Sequence, residues 1–298
     1  MRRKGVRGMK FGIYYAYWEQ EWRADYRRYV KKTAELGFDI LEIAASPLPD
    51  YSDAQLYELR DMARAYGMTL TAGHGPAPDQ NIASADPAVR ENGRRFYLDL
   101  FRRLEKLDIH FIGGGLNGYW PVDYGAPIDK QGDWGRSVES LRALAGPAAD
   151  CGVTLGIEVL NRFEGYLCNT AEEGVRFVKD VDAPNVKVML DTFHMNIEET
   201  SMGGAIRTAG PLLGHFHVGE CNRRVPGKGR MPWNEIAEAL TDIGYDGNVV
   251  MEPFVRQGGQ VGRDIKVWRP VDDGSEQALD REAQASLQFL KYSLLRLR

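Results

Sequence analysis

The sequence predicts an α/β chain folded as one (β/α)8 barrel, the TIM-barrel architecture, and two observations carry that prediction. Five junctions, "KKTAELGFDILEI", "RAYGMTLTAGHG", "LEKLDIHFIGGG", "AADCGVTLGIEVL" and "TDIGYDGNVVMEP", share one grammar. Each has a helix-like run, then Gly or Asp, then a short apolar strand. Glycine suits the left-handed residue that closes a helix, and short apolar runs suit strands buried on both faces of a parallel sheet. The second observation is length. Eight strands over roughly 290 residues give about 35 residues per βα unit, near the ~250-residue total of such barrels plus insertions.

The elements follow in order. Residues 1–8 are basic and read as a loose extension, leaving 9–298 as the barrel domain. "KFGIYYAYW" supplies the first strand, and the amphipathic run 25–36 leads through Gly37 to "FDILEI". Ser52-Asp53 caps a helix over 53–66, which ends before "MTLTAGHG". Helix 87–107 precedes "IHFIGGG", and helix 134–151 precedes "VTLGIEVL". Asn169-Thr170, with Glu172 and Glu173 behind, starts a helix over 170–180 before "NVKVMLD". Helix 201–210 leads to "LLGHFHVGE", helix 232–243 to "NVVMEP", and a helix over 276–296 closes the chain. A doubly wound open sheet is the alternative, because strand order is invisible in sequence.

Composition narrows the class of function. The 298 residues are 43% hydrophobic and 27% charged, enough for a sizeable core. A net charge of −4 and a pI near 5.8 argue against a nucleic-acid surface. Three cysteines with no CxxC spacing favour free thiols in a reducing compartment, and no apolar run is long enough for a secretory signal or a membrane span. The expectation is a cytoplasmic protein acting on a small molecule, with no nucleic-acid or membrane partner.

In barrels of this kind the chemistry sits where the strands end. Strand 5 places Glu158 there, strand 6 Asp191, strand 7 His217 and strand 8 Glu252, with spacings of 33, 26 and 35 residues. Taken alone, a carboxylate after a buried strand is more often a cap or an ion-pair member, and a lone histidine in an apolar run is more often core. Four metal-competent side chains at one depth on consecutive strands are not independent accidents. Carboxylates so close repel one another, and a divalent cation relieves that repulsion. Three oxygen donors and one nitrogen suit Mn²⁺, Co²⁺ or Mg²⁺ better than a structural zinc site. An octahedral ion would keep two positions for a bidentate substrate. His215 lies two residues before His217, one layer deeper on the same face, and reads as a supporting or packing residue.

Loops after the strands add Arg162, Glu164, His194, Arg223 and Arg224, while Tyr14, Trp18, His74, Tyr119 and Trp120 fall near the ends of early strands. Each charge could be a solvated loop residue and each aromatic simple rim packing, although sugar sites favour aromatic walls. Two motifs are decoys. "GGGLNG" fits GxGxxG, but "YWPVDYG" follows it instead of a helix. "VPGKGRMPW" lacks the spacing and the Ser/Thr of a phosphate loop.

At these residues the chain resembles the ketose 3-epimerases, the D-tagatose and D-allulose (psicose) 3-epimerases. The matching segments are "GIYYAYWEQEW", "IEVLNRFE", "VKVMLDTFHMNIEE", "GPLLGHFHVGE" with "NRRVPGKGRMPW", and "MEPFV" with "DIKVWR", from about residue 9 to 270. The resemblance implies ligation of Mn²⁺ or Co²⁺, sometimes Mg²⁺, by Glu158, Asp191, His217 and Glu252. It implies substrate contacts from Glu164, His194 and Arg223 and a homodimer or homotetramer, while Tyr14, Trp120 and His74 are substrate-wall candidates from their place near the strand ends. His74, in "AGHGP", stands where the family pattern leads one to expect an apolar residue. The implied reaction is epimerisation at C3 of a free ketohexose (D-fructose/D-allulose, D-tagatose/D-sorbose). A proton leaves one face of an enediolate and returns on the other, exchanged by Glu158 and Glu252. An aldose–ketose isomerase on the same metal-containing barrel is the alternative. A zinc phosphodiesterase of the AP-endonuclease type would need more than five histidines, and a non-catalytic sugar-binding barrel should have lost one of the paired glutamates.

Overall fold

Eight short apolar runs bury both faces, and parallel pairing of consecutive runs closes them on themselves. The structure, a computed structural model, describes residues 8–125, 127–271 and 274–295. Residues 1–7, nearly all of the expected extension, lie outside the described residues. The strands are β1 (Lys10–Tyr14), β2 (Ile40–Ala44), β3 (Thr69–His74), β4 (Phe111–Gly114), β5 (Thr154–Glu158), β6 (Val186–Asp191), β7 (Leu213–Val218) and β8 (Asn248–Met251). They form one closed barrel in sequence order, and β1 pairs with β8 through Lys10–Asn248 to Ile13–Met251. That closure excludes the open sheet.

The helices sit where amphipathic runs meet caps: α1 (Tyr26–Leu36), α2 (Asp53–Ala65), α3 (Pro87–Lys106), α4 (Lys130–Asp150) and α5 (Ala171–Val181). α6 (Thr192–Glu198), α7 (Met202–Ala209), α8 (Trp233–Asp242), α9 (Gly259–Asp264) and α10 (Glu276–Leu295) complete the set. Asp25 caps α1, and Gly37 ends it at φ 89°, a conformation that costs a side-chain-bearing residue more. Ser52 and Gln55 form a full capping box on α2. α4 starts four residues before the expected 134, because the Asp129 carboxylate accepts from Gly132 N and caps an earlier turn. α6 and α9 are not expected from the pattern. Each is too short to show a periodicity, and α6 begins directly at Asp191, which caps it.

Below the site the barrel is filled, not hollow. The Phe111 ring stacks on His215 at 4.4 Å and 10°. It can do so because Gly156 opposes it, where an added Cβ would stand 2.2 Å from Phe111 Cζ. β7 pairs irregularly with β6. Val188 opposes Leu213 while Met189 opposes His215, so Gly214 is an extra residue. Such a bulge re-aims the strand beyond it, and here Asp191 ends level with His217. None of the described helices is long and apolar enough to cross a membrane.

Candidate active site

The C-terminal ends of β5 to β8 bring the four strand-end residues to one place. Each of Glu158, Asp191, His217 and Glu252 offers a ligand atom, and these four atoms lie within 4.8 Å of one another. His217 Nδ1 stands 3.6 Å from Glu252 Oε1 and 3.9 Å from Glu158 Oε1. Asp191 commits Oδ1 to Phe193 N at 2.7 Å, as the cap of α6. Its Oδ2, with Glu158 Oε1 and His217 Nδ1, is buried without a hydrogen-bond partner. Buried polar atoms are rarely left so, since each forfeits its bonds to water. Three orphaned donor atoms gathered at one point, with two carboxylates among them, fit a divalent cation. The absence of thiolates from the set fits a hard or borderline ion.

The electrostatics agree. Burial first, and the Glu252 carboxylate next, push the Glu158 carboxyl well above its usual range. Burial also raises Asp191, against the pull of His194. Without a positive partner, three acids in this space cannot all ionise without a large penalty.

The supporting set is more connected than the sequence suggested. His217 Nε2 lies 2.6 Å from Glu42 Oε1. Glu42, on β2, is fully buried and also accepts from Thr71 Oγ1 at 2.8 Å. His215, the expected supporting residue, sits 3.0 Å from Glu42 Oε2 but makes no aligned hydrogen bond from either ring nitrogen. Burial would raise the Glu42 carboxyl, but His217 and His215 outweigh it and hold the group ionised. Sequence reasoning missed Glu42 because "ILEIA" reads as an ordinary buried strand. The acid inside that apolar run was the available signal.

The remaining candidates divide. A cavity of about 380 Å³ opens above the four donors. Glu164, His194, Arg223, Tyr14, Trp120 and His74 all line it. Arg223 Nη2 donates to Glu164 Oε1 at 2.9 Å, and its guanidinium lies 3.6 Å over the Phe193 ring. Asn161, in the same loop as Glu164, donates from Nδ2 to His194 Nδ1 at 2.7 Å and to Glu164 Oε1 at 3.1 Å. Burial, then the Glu252 carboxylate, push the Tyr14 phenol well above its usual range, so it remains a donor. His74 is stacked on Phe96 and bonded to Ser46 Oγ at 3.1 Å, and burial holds its imidazole down to about 3. Trp22 and Phe254 also line the cavity, although the sequence did not single them out. Trp22 meets Trp120 edge to face at 5.8 Å, and its Nε1–H is held by Asp264 at 2.7 Å.

Four flanking residues fall outside this cavity. Trp18 donates to Asp280 on α10, and Tyr119 receives Asp123 N. Arg162 pairs with Glu198, and Arg224 with Glu282. For these the loop or packing role wins.

With this geometry established, the likenesses to known proteins are specific. Residues 30–291 match the profile of the xylose isomerase-like TIM barrels. A D-psicose 3-epimerase of Ruminiclostridium cellulolyticum is 67% identical over 287 residues, covering 96% of this chain and 98% of the relative. A D-psicose 3-epimerase of Agrobacterium fabrum is 58% identical over 287 residues, covering 96% and 99%. A crystal structure of the D-psicose 3-epimerase of Clostridium cellulolyticum with D-tagatose superposes with a TM-score of 0.95. It is 66% identical and covers 96% of this chain and 99% of that one.

Proposed function

The chain belongs to the xylose isomerase-like TIM barrel family, among its ketose 3-epimerases, and on that premise we propose that it is a metal-dependent carbohydrate epimerase acting at C3 of free ketohexoses. The substrate pairs are D-fructose/D-allulose and D-tagatose/D-sorbose. The observation that carries the reading is the convergence of Glu158 and Glu252 on His217 Nδ1, with buried donor atoms left unpartnered.

Glu158, Asp191, His217 and Glu252 would hold the ion, Mn²⁺ or Co²⁺ with Mg²⁺ as a further candidate. When bound, it supplies Lewis-acid polarisation of the ketose carbonyl, which makes the neighbouring C–H acidic. The side chains do the rest. One glutamate takes the C3 proton, leaving an enediolate, and the other returns a proton to the opposite face, so C3 inverts with no net change in atoms. Glu158 and Glu252 exchange these roles with the direction of reaction. Asn161 holds His194 so that its Nε2–H faces the cavity, 3.7 Å from Glu158 Oε1. His194 and Arg223 steady O2 and O1, and Glu164 orients a hydroxyl while anchoring Arg223. Trp120, Tyr14 and His74 form the wall around the rest of the sugar.

The barrel, residues 9–298, acts as one cytoplasmic catalytic domain in a homodimer or homotetramer. The test is NMR of D-fructose, D-tagatose and D-allulose with protein and Mn²⁺ in D₂O, beside a chelated control. Deuterium at C3 together with the epimeric ketose supports the reading. An aldose product labelled at C1 or C2 overturns it in favour of an aldose–ketose isomerase.

A further inference from the structure

A carboxylate buried in the middle of an apolar strand is expensive, and nothing in the proton exchange at C3 uses Glu42. Its side chain is wholly withdrawn from water on β2, where the neighbours Leu41 and Ile43 are core residues. It does not face the cavity, since it is absent from the lining. It points into the barrel interior, where it meets β7 from the far side of β1 and β8. Burying a carboxylate is costly even after relaxation, so its partners matter. Thr71 Oγ1 donates to it at 2.8 Å and His217 Nε2 lies at 2.6 Å, while His215 Nε2 stands 3.0 Å away without an aligned hydrogen bond.

The last contact has a consequence for the metal centre. Thr71 Oγ1 donates to Oε2, so Glu42 offers Oε1 to His217 as an acceptor, and the 2.6 Å contact places the ring proton on Nε2. A neutral imidazole has one N–H, which leaves Nδ1 with its lone pair. Nδ1 is the atom that stands unpartnered between Glu158 and Glu252. Glu42 also stops the ring from turning, because rotation about the Cβ–Cγ bond would break the 2.6 Å contact. Thr71 fixes the carboxylate in turn, on the strand paired directly with β2 at Glu42–Thr71. A carboxylate behind a ligating histidine fixes its tautomer and raises its basicity, and its loss commonly weakens metal binding 10- to 100-fold.

We infer that Glu42 is the positioning residue of the metal centre, presenting His217 Nδ1 as a lone-pair donor from the far side of the barrel. The inference rests on the reading of His217 as a ligand. It also gives the group Glu42, His215 and His217, whose donor atoms are themselves close enough for an ion, a different role: support beneath the centre, not a second centre.

Two measurements test it. In ¹⁵N-histidine-labelled wild-type protein, the His217 resonance, assigned by its loss in His217→Gln, should show a proton on Nε2. That proton should exchange slowly and resonate downfield, both in the metal-free protein and with Mg²⁺ added. An unprotonated Nε2 overturns the inference, and this readout needs no variant at position 42 to fold. Calorimetric titration of Mn²⁺ into metal-stripped protein should then show Glu42→Gln binding about 10- to 100-fold more weakly than wild type. Thr71→Val should show a smaller loss in the same direction. Equal Mn²⁺ affinity in wild type and Glu42→Gln overturns the inference while leaving the epimerase reading intact. Wild-type protein that takes up no Mn²⁺ overturns the ligand reading itself, whatever the state of the Nε2 proton.

Discussion

Asn161 Nδ2 lies 2.7 Å from His194 Nδ1, and the orientation of that amide is fixed because its Oδ1 receives Phe163 N at 2.9 Å. The donor therefore points at His194. Nδ1 must accept, and the remaining ring proton sits on Nε2, facing Glu158 at 3.7 Å and the cavity. A loop amide thus decides which nitrogen of a buried histidine can donate into the cavity.

Asn161→Asp reverses that decision. A carboxylate accepts where the amide donated, which draws the His194 proton to Nδ1 and bares Nε2. Loss of one donor at a developing oxyanion typically costs 10²- to 10³-fold in kcat. The expected outcome is a fall of about that size in kcat with KM changed far less, read from initial rates of ketose epimerisation. A variant with wild-type kcat would remove His194 Nε2–H from the chemistry.

His74 links the cavity wall to acid stability. Burial holds its imidazole down to about 3, against an ordinary 6.5. The unfolded chain therefore binds a proton there that the folded chain refuses, throughout the window between those values. Stability rises with pH across that window and is lost as pH falls through it. Substituting His74→Leu should flatten this dependence between pH 6.5 and 3. The cost at neutral pH should be only about 0.5–1.5 kcal/mol, for the lost Ser46 hydrogen bond. Urea titrations at several pH values measure both effects, and an unchanged slope would mean that His74 is solvated in the folded protein.

Gly156→Ala probes the floor of the site. The new methyl would stand 2.2 Å from Phe111 Cζ, so the ring must leave its stack on His215. Overpacking of this kind costs about 1–3 kcal/mol, which thermal denaturation would resolve. The displaced ring should also disturb His215, visible as a shifted imidazole resonance. No loss of stability would mean that the layer beneath the four strand-end side chains has room to relax.

Much of this was legible from residues alone, for a physical reason. Strand-end positions in a closed barrel are repeated by topology, so Glu158, Asp191, His217 and Glu252 announce themselves by spacing. What could not be read is contact across the barrel. Glu42 and His217 are 175 residues apart, and nothing local in "ILEIA" says which strand its acid will face. Asn161 was hidden for a similar reason, since its role appears only once α6 brings His194 back over the β5 loop. Trp18 and Tyr119 lay in the right segments, yet a turn of the chain aims each at a different partner. Trp22 and Phe254 reach the cavity instead.

The central claim is that two glutamates exchange the C3 proton from opposite faces, and the most direct measurement is epimerisation by Glu158→Gln and Glu252→Gln. Amides are nearly isosteric but cannot act as bases. Mn²⁺ uptake is measured alongside, so that a lost ligand is not mistaken for a lost base. Acid-base groups of this kind contribute about 10²- to 10⁴-fold each. A two-base exchange predicts a fall of at least that size in both variants under saturating Mn²⁺. Near-wild-type epimerisation by either variant would contradict it.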